Sequence, residues 1–183
     1  QLKNVAGFDL IRLLVGSEGT LALITEITLK LIPKPKVVYE GLACFDNPED
    51  AIKALVEIRK LGIQPSTAEY MTEFCVEASI KYLGVEQRFK KAKAYIIWQI
   101  DGFDNDSVEK QLNVIKDLCS KYDSSNWFEM NSDELSDHIW KIRRSISLGL
   151  KHIAGSKKSE DVVVPPAKVP SFLKELESMN HES

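Results

Sequence analysis

Lys93-Ala94-Tyr95-Ile96-Ile97-Trp98-Gln99-Ile100-Asp101-Gly102 is the stretch on which the fold turns. Tyr95, Ile96, Ile97, Trp98 and Ile100 are aromatic or β-branched, types that fit a pleated surface, and Asp101-Gly102 is a turn pair that ends the run. The pattern predicts a strand over residues 93–100.

Outward from it, strands and helices alternate. Upstream, residues 37–45 form a strand candidate. Asn47-Pro48-Glu49-Asp50 then opens a helix, with Asn47 as N-cap, Pro48 at the first helical position and acids in the first turn. Ile52, Leu55, Val56, Ile58 and Leu61 recur at helical spacing before Gly62. A short strand over residues 67–70 and a helix over residues 72–83, stopped by Gly84, complete this side. Downstream, a helix over residues 107–122 precedes a strand over residues 126–130, and Ser132 opens a long helical stretch through Trp140, Ile142, Ile146 and Leu150. Val162-Val163-Val164-Pro165 reads as a fifth strand, and a last helix starts at Ser171. The expected class is α+β: a ferredoxin-like, split βαβ domain after Pro35, with an antiparallel sheet and helices on one face.

Composition excludes several functions. The chain has 183 residues, 44% hydrophobic and 28% charged, enough to bury a core rather than remain disordered. A net charge of -3, with no basic cluster, lacks the footprint of a nucleic-acid binder. No apolar run approaches the ~20 residues that span a bilayer, and the opening residues carry no signal-peptide pattern; the expectation is a soluble, cytoplasmic protein. Cys44, Cys75 and Cys119 are widely spaced and read as reduced packing residues, while His138, His152 and His181 show no metal-ligand spacing.

The N-terminal segment carries the richest local pattern: Gly7-Phe8-Asp9-Leu10, then Gly16-Ser17-Glu18-Gly19-Thr20-Leu21-Ala22-Leu23-Ile24-Thr25. Two glycines around Ser17-Glu18 predict a tight turn with backbone N–H groups facing outward, as a phosphate or a polar ring edge requires. An ordinary loop before a strand has the same spacing. A strand over residues 21–31 is expected to follow, and a domain boundary is placed at Pro33-Lys34-Pro35, with residues 1–35 and 36–183 as separate parts.

Lys3-Asn4-Val5-Ala6-Gly7-Phe8-Asp9-Leu10, Gly16 to Leu21 and Pro33-Lys34-Pro35 together resemble the end of the FAD-binding domain in the vanillyl-alcohol oxidase and p-cresol methylhydroxylase superfamily, on its glycolate oxidase and D-lactate dehydrogenase branch. The resemblance implies that residues 1–35 hold the last helix and strand of that domain. It also implies flavin contacts from Gly16, Ser17, Glu18, Gly19, Thr20 and Ile24. Ala22 stands where the family usually has Gly. Glu18 can equally hold its own loop by accepting backbone N–H groups.

Further on, Ile139-Trp140-Lys141-Ile142-Arg143-Arg144, Ser147 and Glu160-Asp161-Val162-Val163-Val164-Pro165 resemble the substrate domain of the same family. Trp140, Arg143 and Ser147 can share one helix face. An Arg fork binds a carboxylate bidentately and a hydroxyl supports the same anion, which suits a 2-hydroxyacid. By spacing alone Arg143 and Arg144 could simply solvate the helix; the resemblance assigns Arg143 and Ser147 to substrate. Lys157 or Lys158 matches a basic position of related enzymes, Lys158 being placed as the second carboxylate contact with a surface lysine as the other reading, and Asp161 can cap or brace its turn.

What the resemblance implies is FAD-dependent oxidation of a D-2-hydroxyacid such as lactate, glycolate or 2-hydroxyglutarate, with hydride passing to flavin and electrons to an unidentified acceptor. A catalytic His-x-Gly-Asp-Gly-Asn-x-His signature and a glycine-rich N-terminal lobe are not found within the sequence, so the expectation is a portion of an enzyme that by itself neither holds FAD tightly nor turns over. A flavin-lacking, non-catalytic subunit of the superfamily and an unrelated ferredoxin-like binding module are the alternatives, and a homo-oligomer is compatible with either.

Overall fold

The computed structural model describes residues 7–130 and 132–181, the side chains of residues 166, 177, 180 and 181 aside. Lys3 to Ala6 of the N-terminal motif therefore lie outside the described residues. The chain divides into two compact units, Gln1–Lys34 and Pro35–Ser183.

Among its described residues the first unit holds one short helix, α1 (Leu10–Leu14), capped by Asp9, whose side chain accepts from the Arg12 N–H. The strand expected over residues 21–31 does not form. Leu23, Leu29 and Leu31 stand exposed, and the segment has no ladder pairing of its own. An extended chain becomes a strand only when a neighbour takes its N–H and C=O groups.

In the second unit the order is β1 (Val37–Phe45), α2 (Pro48–Lys60), β2 (Thr67–Thr72), α3 (Glu73–Leu83), β3 (Ala94–Gly102), α4 (Asn105–Lys121), β4 (Ser124–Glu129), α5 (Asp133–Ala154), a 3-10 turn (Pro166–Lys168) and α6 (Val169–His181). The sheet order is β2-β3-β1-β4 with every neighbouring pair antiparallel. This is the split βαβ arrangement, with α3 added between β2 and β3 and α5 after β4.

The caps explain most helix starts. Asn47 accepts from the Glu49 N–H, Thr72 from Cys75, Asp104 from Ser107 and Ser132 from Leu135, each satisfying a donor that the first helical turn leaves without a partner. Asp104 moves the start of α4 to Asn105, two residues before the position expected from Ser107.

Helices cover both faces of the sheet, where one covered face was expected. Ala43, Phe45, Ile96, Trp98 and Ile100 point to α2 and α4, packing with Ala51, Ala54, Ile58, Val108 and Ile115. Leu42, Cys44, Tyr95 and Ile97 point the other way, to Val76 of α3 and to Ile139 and Ile142 of α5. The physical reason is visible in β3: residues 94–98 are all buried, and a strand buried on both faces reads as a continuous apolar run rather than an alternating one.

The second face owes its tightness to α3 and α5. Ser79 Oγ donates to the Ile142 carbonyl oxygen at 2.7 Å, and Gly149 presses against the backbone at Ala78. Residues 162–165 form no fifth strand. They run without a ladder partner, Val163 exposed and Val164 lining a shallow apolar cavity with Ile52, Leu55, Trp98 and Val169. The last helix begins at Val169 rather than at Ser171.

Candidate functional site

The two units carry one candidate region each, and each is described by itself. In the first, the Ser17 N–H donates to the Leu14 carbonyl, and the Thr20 N–H and Thr20 Oγ1 both donate to the Ser17 carbonyl, the latter at 2.6 Å. Gly16 and Gly19 take φ of 84° and 78°, and Glu18 takes 50°. A left-handed backbone is rare for a residue with a Cβ. At Glu18 it belongs to a turn closed by Thr20. Glu18 and Gly19 are exposed, as are Thr20 and Ile24. Within the turn the Ser17 and Thr20 N–H groups are engaged by its own carbonyls.

In the second unit the polar face of α5 lies over the sheet. Ser136, Trp140, Arg143 and Ser147 succeed one another at spacings of four, three and four, which aligns them along the helix. Each meets a different partner. Arg143 Nε and Nη2 both donate to Glu69 Oε2 on β2, at 3.0 and 2.8 Å. Trp140 Nε1 donates to Glu40 Oε1 on β1 at 3.0 Å, and Ser136 Oγ donates to Glu40 Oε2. Ser147 Oγ pairs with Lys157 Nζ at 2.8 Å.

The strand register places these acids. Glu40 lies opposite Gln99, and Gln99 opposite Thr67, so the three form a polar row across β1, β3 and β2. Gln99 Nε2 donates to Glu40 Oε1 at 2.7 Å, while its own Oε1 accepts from Ser66 and Thr67. Glu69, two residues on, faces the same side as Thr67. Each acid sits half-buried between a strand and α5, and a carboxylate there is tolerable because its oxygens accept several donors.

Sequence reasoning thus brings Arg143 and Ser147 to one helix face; of the two lysines it offered, Lys157 is the one that meets Ser147, and it missed Glu69, the partner of Arg143. The signal for Glu69, and for Glu40, is an acid inside a strand at a position that faces a helix. Lys158 is turned away: its side chain is 90% exposed and pairs with Glu160 at 2.8 Å. Lys157 reaches Ser147 instead. Arg144 is exposed.

Other titratable groups are packing residues. Burial pushes the Cys44 and Cys119 thiols up to about 12, which keeps them protonated and unreactive. Burial, and then the nearby Arg88 charge, lowers the pKa of His138 on α5. Among the described residues no cluster of three or more His, Cys, Asp or Glu could hold a metal ion, and no helix is long and apolar enough to cross a membrane.

Comparison with known proteins agrees with this architecture. Residues 34–183 match the family described as FAD linked oxidases, C-terminal domain. The glycolate oxidase subunit GlcD of Bacillus subtilis is 32% identical over 177 residues, covering 95% of this chain and 37% of that protein. The D-lactate dehydrogenase of Anaerostipes hadrus is 27% identical over 186 residues, covering 99% of this chain and 39% of its own length. Among solved structures, an alkyldihydroxyacetonephosphate synthase is similar with a TM-score of 0.67 at 20% identity, covering 98% of this chain and 38% of that one; at this identity the likeness concerns the fold. The chain therefore spans less than two-fifths of the length of these relatives.

Proposed function

Because the chain belongs to the FAD linked oxidases and carries their C-terminal domain, we propose that it supplies the substrate-carboxylate anchor of a flavoenzyme that oxidises a D-2-hydroxyacid, lactate or glycolate, to the 2-oxoacid. The observation that carries this reading is the arrangement of donors on α5. Arg143 offers Glu69 only the edge formed by Nε and Nη2. The fork between Nη1 and Nη2 keeps its N–H groups for a second carboxylate. Ser147, one turn further, can accept from Lys157 and still donate its own O–H to the same anion.

Converging Arg, Ser and Lys donors suit a planar anion with little else to recognise. The hydroxyl and carboxylate that lactate and glycolate share are both small, so a fixed carboxylate also fixes C2, and positioning of this kind lowers the barrier of the following step. Lys158 remains part of the proposal as a second carboxylate contact, since an exposed ion pair such as Lys158–Glu160 is worth little and exchanges readily.

FAD is the cofactor of this reading. The exposed turn around Gly16, Ser17, Glu18, Gly19 and Thr20, with left-handed backbone at Gly16, Glu18 and Gly19, has the chemistry to meet its phosphate or ring carbonyl, with Ile24 as an apolar neighbour. Bound flavin supplies the acceptor for the hydride leaving C2.

The test is Arg143→Gln in the flavin-loaded full-length protein, assayed with D-lactate and with glycolate. The expected result is a rise in KM of about tenfold or more for both acids, as loss of a charge-assisted bidentate contact implies. Unchanged KM for both would overturn the reading.

A further inference from the structure

Glu69 is the one partner of Arg143 that the sequence did not announce, and its place on the guanidinium decides what it can do. A single oxygen, Oε2, accepts from both Nε and Nη2. The carboxylate therefore sits against the side of the guanidinium and leaves its end open. A competitor for the substrate site would take the Nη1–Nη2 fork instead. Resting on the reading of Arg143 as the carboxylate anchor, we infer that Glu69 is a positioning residue: it holds the guanidinium plane so that the Nη1–Nη2 fork faces the incoming carboxylate.

The physical case weighs two opposing effects. Glu69 carries negative charge and repels a second anion, but its side chain and that of Arg143 are 37% and 36% exposed, so water and salt weaken that repulsion. Against it stands the rotamer freedom of Arg143, a long side chain that loses it on gripping a ligand. Held beforehand by β2, Arg143 has less freedom to lose when substrate arrives. Both ends of the contact are themselves anchored. Glu69 lies opposite Ile97 in the β2–β3 ladder, and α5 is fixed at the preceding residue by Ser79 on the Ile142 carbonyl.

The experiment uses the flavin-loaded holoenzyme with Glu69→Gln, Glu69→Ala and Arg143→Gln, read as KM and kcat for D-lactate and as the inhibition constant of the monocarboxylate pyruvate. Glu69→Ala is expected to raise KM and the pyruvate constant in parallel by about tenfold, with kcat within about twofold of wild type. Glu69→Gln, which keeps an acceptor at the same place, falls between. In the 183-residue chain itself, the Arg143 Nε–H signal in nitrogen-resolved NMR is expected to exchange slowly and to become fast in Glu69→Ala. If Glu69→Ala does not fold, Glu69→Gln carries the test, through its KM and through a faster-exchanging Arg143 Nε–H signal than in wild type. A KM that is unchanged or lower in the Glu69 variants, while Arg143→Gln raises it, overturns the inference and leaves the anchor intact. An unchanged KM in Arg143→Gln overturns both.

Discussion

Gly149 of α5 lies so close to Ala78 of α3 that a Cβ on it would stand 2.6 Å from the Ala78 carbonyl carbon and oxygen. The obstacle is backbone, which cannot rotate away, so any side chain at this position must push the helices apart. Gly149→Val is expected to destabilise the second unit by about 1–3 kcal/mol. The check is a urea titration in which the midpoint falls and the slope stays unchanged. A midpoint equal to that of wild type would mean that α5 can shift without cost.

Glu40 gathers three side-chain donors, Ser136, Trp140 and Gln99. Replacing it with Ala removes the acceptor and leaves these groups half-buried without it, a loss of about 1–3 kcal/mol. Trp140→Phe removes a single donor and is expected to cost less, about 1 kcal/mol. Comparing the unfolding midpoints of the two variants decides the matter, and equal losses would count against the network.

The buried thiols make stability depend on alkaline pH. The native pKa values of Cys44 and Cys119 are raised from 9.0 to about 12. Between those values the unfolded chain releases protons that the native chain retains, so stability falls as pH rises. It is fully present below pH 9, and each thiol then contributes roughly a tenfold loss in the folding equilibrium per pH unit up to about pH 12. Stability measured under reducing conditions should therefore decline more steeply above pH 9 in wild type than in a Cys44→Ala, Cys119→Ala double variant. Parallel slopes would show that the two thiols ionise freely in the native state.

The neighbouring lysines separate by a simple pair of variants. In the flavin-loaded protein, Lys157→Met is expected to raise KM for D-lactate because its ammonium sits on Ser147, and Lys158→Met tests the second contact carried by the proposed site. A larger KM effect from Lys158 would mean that residues 155–165 rearrange when substrate binds, exchanging the Lys158–Glu160 pair for the anion.

Purified on its own, the 183-residue chain is expected to carry no stoichiometric flavin. Small-molecule and cofactor sites bury most of their ligand's surface, and the Gly16–Thr20 turn is an exposed loop. Absorbance near 450 nm after purification gives the answer, and a yellow protein with one flavin per chain would refute the expectation.

Much of the second unit was legible locally. Asn47, Thr72 and Ser132 each marked a helix start through a side chain that caps its own next turn, and β3 declared itself through Tyr95, Ile96, Ile97 and Trp98 in succession, followed by Ile100. The segments that misled were those whose structure depends on a neighbour. Residues 21–31 and 162–165 have strand-forming composition, yet neither meets a described ladder partner. The continuous apolar run of β3 is also the sequence sign of a sheet covered on both faces.

By itself, the sequence determined where the four strands of the sheet and most of the helices lie, that Arg143 and Ser147 share a helix face, and which family pattern the chain repeats. These are properties of periodicity and short spacing, carried by residues within a turn or two of one another. Only the tertiary structure decided that α3 and α5 close the second face of the sheet, that Lys157 rather than Lys158 reaches Ser147, and that Glu69 holds Arg143 from 74 residues away. Such pairings depend on strand register and on the crossing of a helix over a sheet, where a one-residue slip would turn Glu69 to the opposite face.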